Sequence, residues 1–333
     1  LVKERSNTIM HMNKKSRKTV LITDFAWPDI ELETSILEMA GCDVVAGPKV
    51  PASKEEIEAL VQRHQPEALL FCWAPVTEKA IAASPGLKIA ARLGVGLDNL
   101  AVDACTKRGI WVTNVPDYCV EEVSDHAVAM LLAWARGLLP FDRGVRSGTW
   151  DPSIAKLRRV ADMTVGIVGY GRIGRRTAEK LAGFGVELLV HTRTRPGDGD
   201  VTSCELPELV SKSDVIILHV PLTPETHHLV DSELLEKTKP GALLINVSRG
   251  GVVDTDAVIA AIQSGHLAAV ALDVLENEPA VPEALLYSED NIVTPHVAFS
   301  STASLIELRQ RACEEVVRVL QGKQPEQARN KPK

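Results

Sequence analysis

The chain has 333 residues, 45% of them hydrophobic and 4% aromatic, with a formal net charge of −7 and a pI near 5.8. That length suffices for two domain cores at roughly 100–200 residues per domain, and the acidic balance speaks against nucleic acid or an anionic membrane as the main partner. No apolar run approaches the ~18 residues of a membrane span, and the six cysteines are scattered without a C-x-x-C pair, which points to thiols in a reducing cytoplasm and away from a metal site.

In chain order, residues 1–18 are polar and basic and read as a disordered leader, with no hydrophobic signal segment. Short apolar runs then predict strands at 19–23, 43–46, 68–72, 88–93 and 111–113, with helical periodicity at 31–40, 54–64 and 100–108. Strands alternating with helices specify a parallel sheet covered by helices. A long apolar-periodic stretch, 121–139, predicts a linking or subunit-packing helix, and the mostly polar stretch 147–153 separates it from a second domain.

The next segment is the most specific one. Val165-Gly-Ile-Val-Gly-Tyr-Gly-Arg-Ile-Gly174 sets Gly169, Gly171 and Gly174 at G-x-G-x-x-G spacing after a strand at 163–168 and before a helix predicted at 175–185, with a second strand at 186–191 completing a βαβ unit. Gly169 suits the tight turn, Gly171 lets a pyrophosphate approach the backbone, and Gly174 lets the helix pack on the sheet. The amides of Arg172 and Ile173 then face the phosphates at the positive helix end. Strands at 215–220, 242–247, 268–273 and 292–294 continue this second sheet. The chain closes with an amphipathic helix at 302–320, stopped by Gly322 and a polar tail.

An acid at the end of the second strand of such a unit would bind the ribose hydroxyls of NAD. Here the sequence reads His191-Thr-Arg-Thr-Arg195, with Thr192 at the acid's place and Arg193 and Arg195 after it. Guanidinium groups suit a 2′-phosphate, so NADP is favoured over NAD, unless the two arginines form a solvated loop edge. For hydride transfer the chain also needs a proton donor and a cation. Arg249, Glu278 and His296 each follow a strand, where ligands collect in open α/β sheets; singly, each fits an ordinary structural role as well.

Together these motifs resemble the D-isomer-specific 2-hydroxyacid dehydrogenase family, and look most similar to its branch containing the C-terminal-binding proteins. The resemblance runs from Thr19 to about Gln324. It is carried by Arg92-Leu-Gly-Val-Gly-Leu-Asp-Asn99, Asn114 to His126, the glycine turn, His219-Val-Pro-Leu-Thr-Pro-Glu-Thr226, Ser248 to Asp254, Leu272 to Pro279 and Thr294-Pro-His296. It implies Arg249 as substrate-binding arginine, Glu278 as carboxylate partner and His296 as acid/base. It also implies a carboxylate cradle at Val95 and Gly96 with charge from Arg92, Asp273 at the nicotinamide amide, and His219, Pro221 and Thr226 along the cofactor cleft.

The implied fold is α/β with two doubly wound parallel-sheet domains: a Rossmann cofactor domain at 118–298 inserted into a discontinuous flavodoxin-like substrate domain at 19–117 and 299–325. The implied function is reduction of a small 2-oxo acid such as glyoxylate or hydroxypyruvate by NAD(P)H, NADPH favoured, in a cytoplasmic homodimer. Relatives include a short form of phosphoglycerate dehydrogenase and corepressor-like NAD(P)-sensing interaction proteins; the presence of arginine, glutamate and histidine together favours the enzyme. Phe299 stands where that branch often has Trp, and Trp73-Ala-Pro-Val76 lacks a basic residue, so a small or apolar substrate side chain is expected.

Overall fold

The computed structural model describes residues 17–49, 52–193 and 201–332. The chain forms two compact units, Leu1–Val115 with Leu308–Lys333, and Pro116–Glu307.

In the first unit the order is β1 (Lys18–Ile22), α1 (Glu31–Met39), β2 (Cys42–Ala46), α2 (Lys54–His64), β3 (Ala68–Phe71), α3 (Glu78–Ala83), β4 (Ile89–Arg92), α4 (Val102–Lys107) and β5 (Trp111–Thr113). The five strands form one parallel sheet in the order β2-β1-β3-β4-β5. β3 and β4 are buried along their whole length, as strands covered on both faces must be. Two of the helices begin on side-chain caps: Thr77 caps α3, and Ser53 and Glu56 close a reciprocal capping box on α2. Leu21, Ile57, Val61, Phe71, Ile81 and Val112 lie within one apolar cluster.

One expectation for this unit is corrected. The leader reading 1–18 is too long: Lys18 opens β1, and Arg17 donates to the Cys42 carbonyl (2.6 Å) and pairs with Asp43 (3.0 Å). Residues 1–16 lie outside the described residues. The polar C-terminal segment is seated on the sheet. Ala328 bridges Thr113 antiparallel, Arg329 N–H donates to the Val112 carbonyl (2.8 Å), and Asn330 Oδ1 accepts from Val112 N–H (2.9 Å). The segment thereby covers the open edge of β5, whose polar groups would otherwise invite another strand.

The second unit contains α5 (Val120–Ala135), α6 (Leu138–Arg146), β6 (Thr164–Val168), α7 (Arg172–Ala182), β7 (Glu187–His191), β8 (Thr202–Ser203), α8 (Leu206–Lys212), β9 (Val215–Leu218), α9 (Ser232–Glu236), β10 (Ala242–Asn246), α10 (Thr255–Gln263), β11 (Leu267–Leu272) and β12 (Ile292–Val293). Its seven parallel strands run β12-β11-β10-β9-β6-β7-β8. The order reverses at β6, so the crevice beyond the ends of β6 and β9 is the place where a doubly wound sheet takes its ligand.

The single helix expected at 121–139 is two, because Gly137 adopts φ 61° and ends α5 in a left-handed turn. The last helix, α11 (Thr302–Leu320), crosses from the second unit to the first at Leu308 rather than at the expected 299. Its beginning stays with the second unit through Ser301, whose hydroxyl donates to Glu122 of α5 (2.7 Å).

Candidate functional site

In the second unit the glycine turn has a separate reason for each glycine. Gly169 lies at φ 98°, and a methyl group there would come within 2.5 Å of the His219 carbonyl oxygen. At Gly174 it would meet the Gly169 carbonyl oxygen at 2.1 Å, so both glycines are required by packing. At Gly171 it would meet nothing within 4 Å. Open space beside a glycine next to a helix start is the fit expected for a pyrophosphate. The helix is α7, which begins at Arg172, three residues before the predicted 175, so Arg172 and Ile173 are its first turn and their amides belong to its positive end.

The candidates around this turn differ in what they do. His219 sits half-buried with Nε2 2.9 Å from Thr177 Oγ1, and loss of water around the ring pushes its pKa down to about 4, so it is neutral near pH 7. The Thr226 hydroxyl donates to the Pro221 carbonyl (2.6 Å) and accepts from Thr223 N–H (2.8 Å), which closes the 221–226 turn. Thr192 and the exposed Arg193 follow β7. Glu225 is held below the usual carboxylate range chiefly by the Thr223 hydroxyl, with the Arg193 charge contributing. Arg195 lies outside the described residues.

Three strand ends of the same unit supply the acid–base candidates. His296 Nδ1 lies 2.8 Å from Glu278 Oε2, and Glu278 Oε1 accepts from Leu275 N–H (3.0 Å). Burial works to raise the Glu278 pKa. The His296 hydrogen bond and charge, the Leu275 amide and the Arg249 charge outweigh it and hold the carboxyl below its ordinary value. Arg249 stands beyond β10 with its carbonyl held by Asn246 Nδ2 (2.9 Å). The Phe299 ring meets His296 edge-on (centroids 6.1 Å) and Tyr118 likewise (6.4 Å), forming an aromatic wall beside the histidine.

His296 has φ 52°, a left-handed conformation that is strained for a residue with a side chain. Asp273 holds it there. The Asp273 carbonyl accepts from His296 N–H (2.8 Å), and its buried carboxylate accepts from Thr294 Oγ1 (2.6 Å), Val297 N–H (2.9 Å) and Ala298 N–H (2.9 Å). His126 of α5 reaches the same group, with Nε2 3.1 Å from Thr294 Oγ1. Asp273, expected at the nicotinamide, thus has its carboxylate on the histidine turn. The sequence carries no local signal of this support, since His126 and Thr294 lie 168 positions apart.

In the first unit Arg92 is almost fully buried and props the turn after β4, its Nε donating to the Gly96 carbonyl (3.0 Å) and Nη1 to the Phe71 carbonyl (3.2 Å). Asn114 Nδ2 holds the Val95 carbonyl (2.5 Å) and Val115 N–H the Gly94 carbonyl (3.1 Å). With these three carbonyls tied, the amides of Val95 and Gly96 have no backbone acceptor among the described residues. Such paired donors make a cradle for an anion. Nearby, the buried Asp24 carboxylate accepts from the amides of Cys72 (3.1 Å), Trp73 (2.8 Å) and Ala74 (3.0 Å), while Asn99 Nδ2 donates to the carbonyls of the same three residues. Neither Asp24 nor Asn99 was legible as a loop clamp, since the partners are distant in sequence.

Residues 128–298 match the model of the D-isomer specific 2-hydroxyacid dehydrogenase, NAD binding domain. The chain is 35% identical over 302 residues to a glyoxylate reductase of Thermofilum pendens, covering 87% of this chain and 89% of that one. It is 38% identical over 268 residues to a D-3-phosphoglycerate dehydrogenase of Mycobacterium bovis, 79% of this chain but 48% of that longer relative. Its fold superposes with TM-score 0.83 and 31% identity on the NADPH-dependent glyoxylate/hydroxypyruvate reductase of Sinorhizobium meliloti, solved with NADP and malonate, over 94% of this chain and 97% of that one. Among the described residues no helix is long and apolar enough to cross a membrane.

Proposed function

The chain belongs to the D-isomer specific 2-hydroxyacid dehydrogenase family of NAD(P)-dependent oxidoreductases, and from that premise we propose that it reduces a small 2-oxo acid, glyoxylate or hydroxypyruvate, with NADPH. The observation that carries the reading is the 2.8 Å contact of Glu278 with His296 Nδ1. A carboxylate there fixes the ring's orientation through Nδ1, leaving Nε2 to deliver the proton to the carbonyl oxygen. The nicotinamide, when bound, supplies the hydride. Arg249 neutralises negative charge developing on the substrate oxygen, and the amides of Val95 and Gly96 take the carboxylate.

The residues of the glycine turn that hold the pyrophosphate in this reading are Gly171, Arg172 and Ile173, with neutral His219, Pro221 and Thr226 beside them. Arg193, with Arg195, takes the 2′-phosphate in the absence of an acid at Thr192. The NADP-bound reductase of Sinorhizobium meliloti supports this choice. All six cysteines are free thiols, which supports a reducing, cytoplasmic setting. The proposal includes a homodimer through α6 and the residues after it, where Leu138, Val145, Trp150, Ile154 and Leu157 are exposed.

The test is a substrate panel of glyoxylate, hydroxypyruvate and 3-phosphohydroxypyruvate run with NADPH and with NADH, following loss of reduced nicotinamide. Fast turnover of either of the first two with NADPH, lost in His296→Ala while cofactor binding persists, is expected. A preference for the phosphorylated acid would select the phosphoglycerate reading that the mycobacterial relative supports.

A further inference from the structure

The residues other than glycine with left-handed backbones, among those described, are Gln65 (φ 46°), His228 (φ 51°) and His296 (φ 52°). Gln65 closes α2, so the two histidines need another reason. Both hold the short loop after β11. His296 is bound by Glu278, and two positions earlier in that loop Glu276 Oε1 lies 2.6 Å from Nε2 of His228.

The other oxygen of Glu276 accepts from Thr255 Oγ1 (2.6 Å) and Thr255 N–H (3.2 Å) at the start of α10. His228 N–H donates to the Gly251 carbonyl (2.9 Å). The loop backbone rests on Gly250, where a methyl group would come within 2.0 Å of the Leu275 carbonyl carbon and 2.4 Å of the Glu276 nitrogen. Glu276 therefore fastens the loop bearing Glu278 to the turn bearing Arg249 and to α10.

His227 stacks on His228 (4.0 Å between centroids) and completes with Glu276 a trio whose ligating atoms lie within 4.8 Å of one another. Ligands on a tetrahedral metal at ~2.1 Å would stand about 3.4 Å apart, whereas His228 and Glu276 are at hydrogen-bond distance, 2.6 Å. The trio is built as a strut.

We propose that Glu276, held by His228 and Thr255, is a positioning residue that keeps the 275–278 loop seated on Gly250 so that Glu278 meets His296 and stays in register with Arg249. The proposal rests on the acid–base reading of His296. Geometry of this kind matters because a misplacement of roughly 1 Å costs on the order of a hundredfold in rate.

Glu276→Ala and Glu276→Gln test it. Gln keeps an oxygen for Thr255 and gains an N–H for His228, so it should stay within about threefold of the parent, while Ala should lower kcat by about tenfold or more at nearly unchanged cofactor KM. In the Ala variant the NMR signal of the His296 Nδ1 proton, identified by its loss in His296→Gln, should move upfield or vanish as the Glu278 hydrogen bond is lost, whether or not any tested acid is turned over, which separates failure of the strut from failure of the proposed reaction. An Ala variant with the parental kcat and the parental Nδ1 proton signal would overturn the proposal. So would a Gln variant as impaired as Ala, a kcat loss that merely tracks lost cofactor binding or a lower melting temperature, or parental activity that depends on added zinc or falls with a chelator.

Discussion

Oε2 of Glu278 stands 2.8 Å from Nδ1 of His296, and the partners arrive there from different loops, one after β11 and one after β12. The carboxylate is lowered and the imidazole is presented by a left-handed backbone that Asp273 secures. Glu278→Gln keeps the shape and removes the charge. The imidazole then loses the charged partner that orients it, which should cut kcat at neutral pH by about 100-fold, the lower end of what general acid catalysis contributes. Steady-state kinetics would check this; an unchanged kcat would remove Glu278 from the acid's environment.

The glycine turn predicts two opposite phenotypes. Gly174→Ala drives a methyl group to 2.1 Å from the Gly169 carbonyl oxygen and should destabilise the protein by about 1–3 kcal/mol. Gly171→Ala meets only open space, so its stability should change by less than about 0.5 kcal/mol while NADPH binds about tenfold more weakly, a difference of ~1.4 kcal/mol. Denaturant titration beside isothermal calorimetry separates the two.

Cofactor choice should hinge on Arg193. Replacing it with Ser removes a charge-assisted contact of ~1.5–3 kcal/mol, so NADPH should weaken by roughly 10- to 150-fold with NADH within about twofold. Equal losses for the two cofactors would sink the 2′-phosphate role.

His219 should leave a mark on acid stability. Its pKa in the fold is about 4 against 6.5 unperturbed, so the unfolded chain binds the extra proton between those values. Stability is complete above pH 6.5 and falls as pH drops towards 4, by up to about 1.4 kcal/mol per unit. His219→Gln should flatten that part of the pH–stability curve, measured by denaturant midpoints.

Glu33 is fully buried and accepts from Trp27 Nε1 (2.9 Å) and from Arg309 through Nε (2.8 Å) and Nη2 (2.6 Å). Arg309→Met leaves that carboxylate without its cation and should cost about 3–5 kcal/mol, whereas Glu33→Leu with Arg309→Met should recover most of it. Additive losses in the double variant would contradict the pairing.

The amino-acid sequence by itself determined what is local. Alternating apolar runs specified parallel sheets and the glycine spacing specified the βαβ turn, because each of these signals lies within a few residues of its structural effect; Arg249, Glu278 and His296, ambiguous one by one, stood out only through the family resemblance of their motifs. Tertiary structure decided what depends on distant partners. Only the fold turns Asp273 onto the 294–298 turn, gives Gly169 its neighbour in His219, lays Asn330 along β5, and fastens Glu276 to His228 and Thr255. Hydrogen bonds of that kind join residues from 21 to 218 positions apart. No periodicity or spacing along the chain encodes such pairs, since they exist only once burial has brought the elements together.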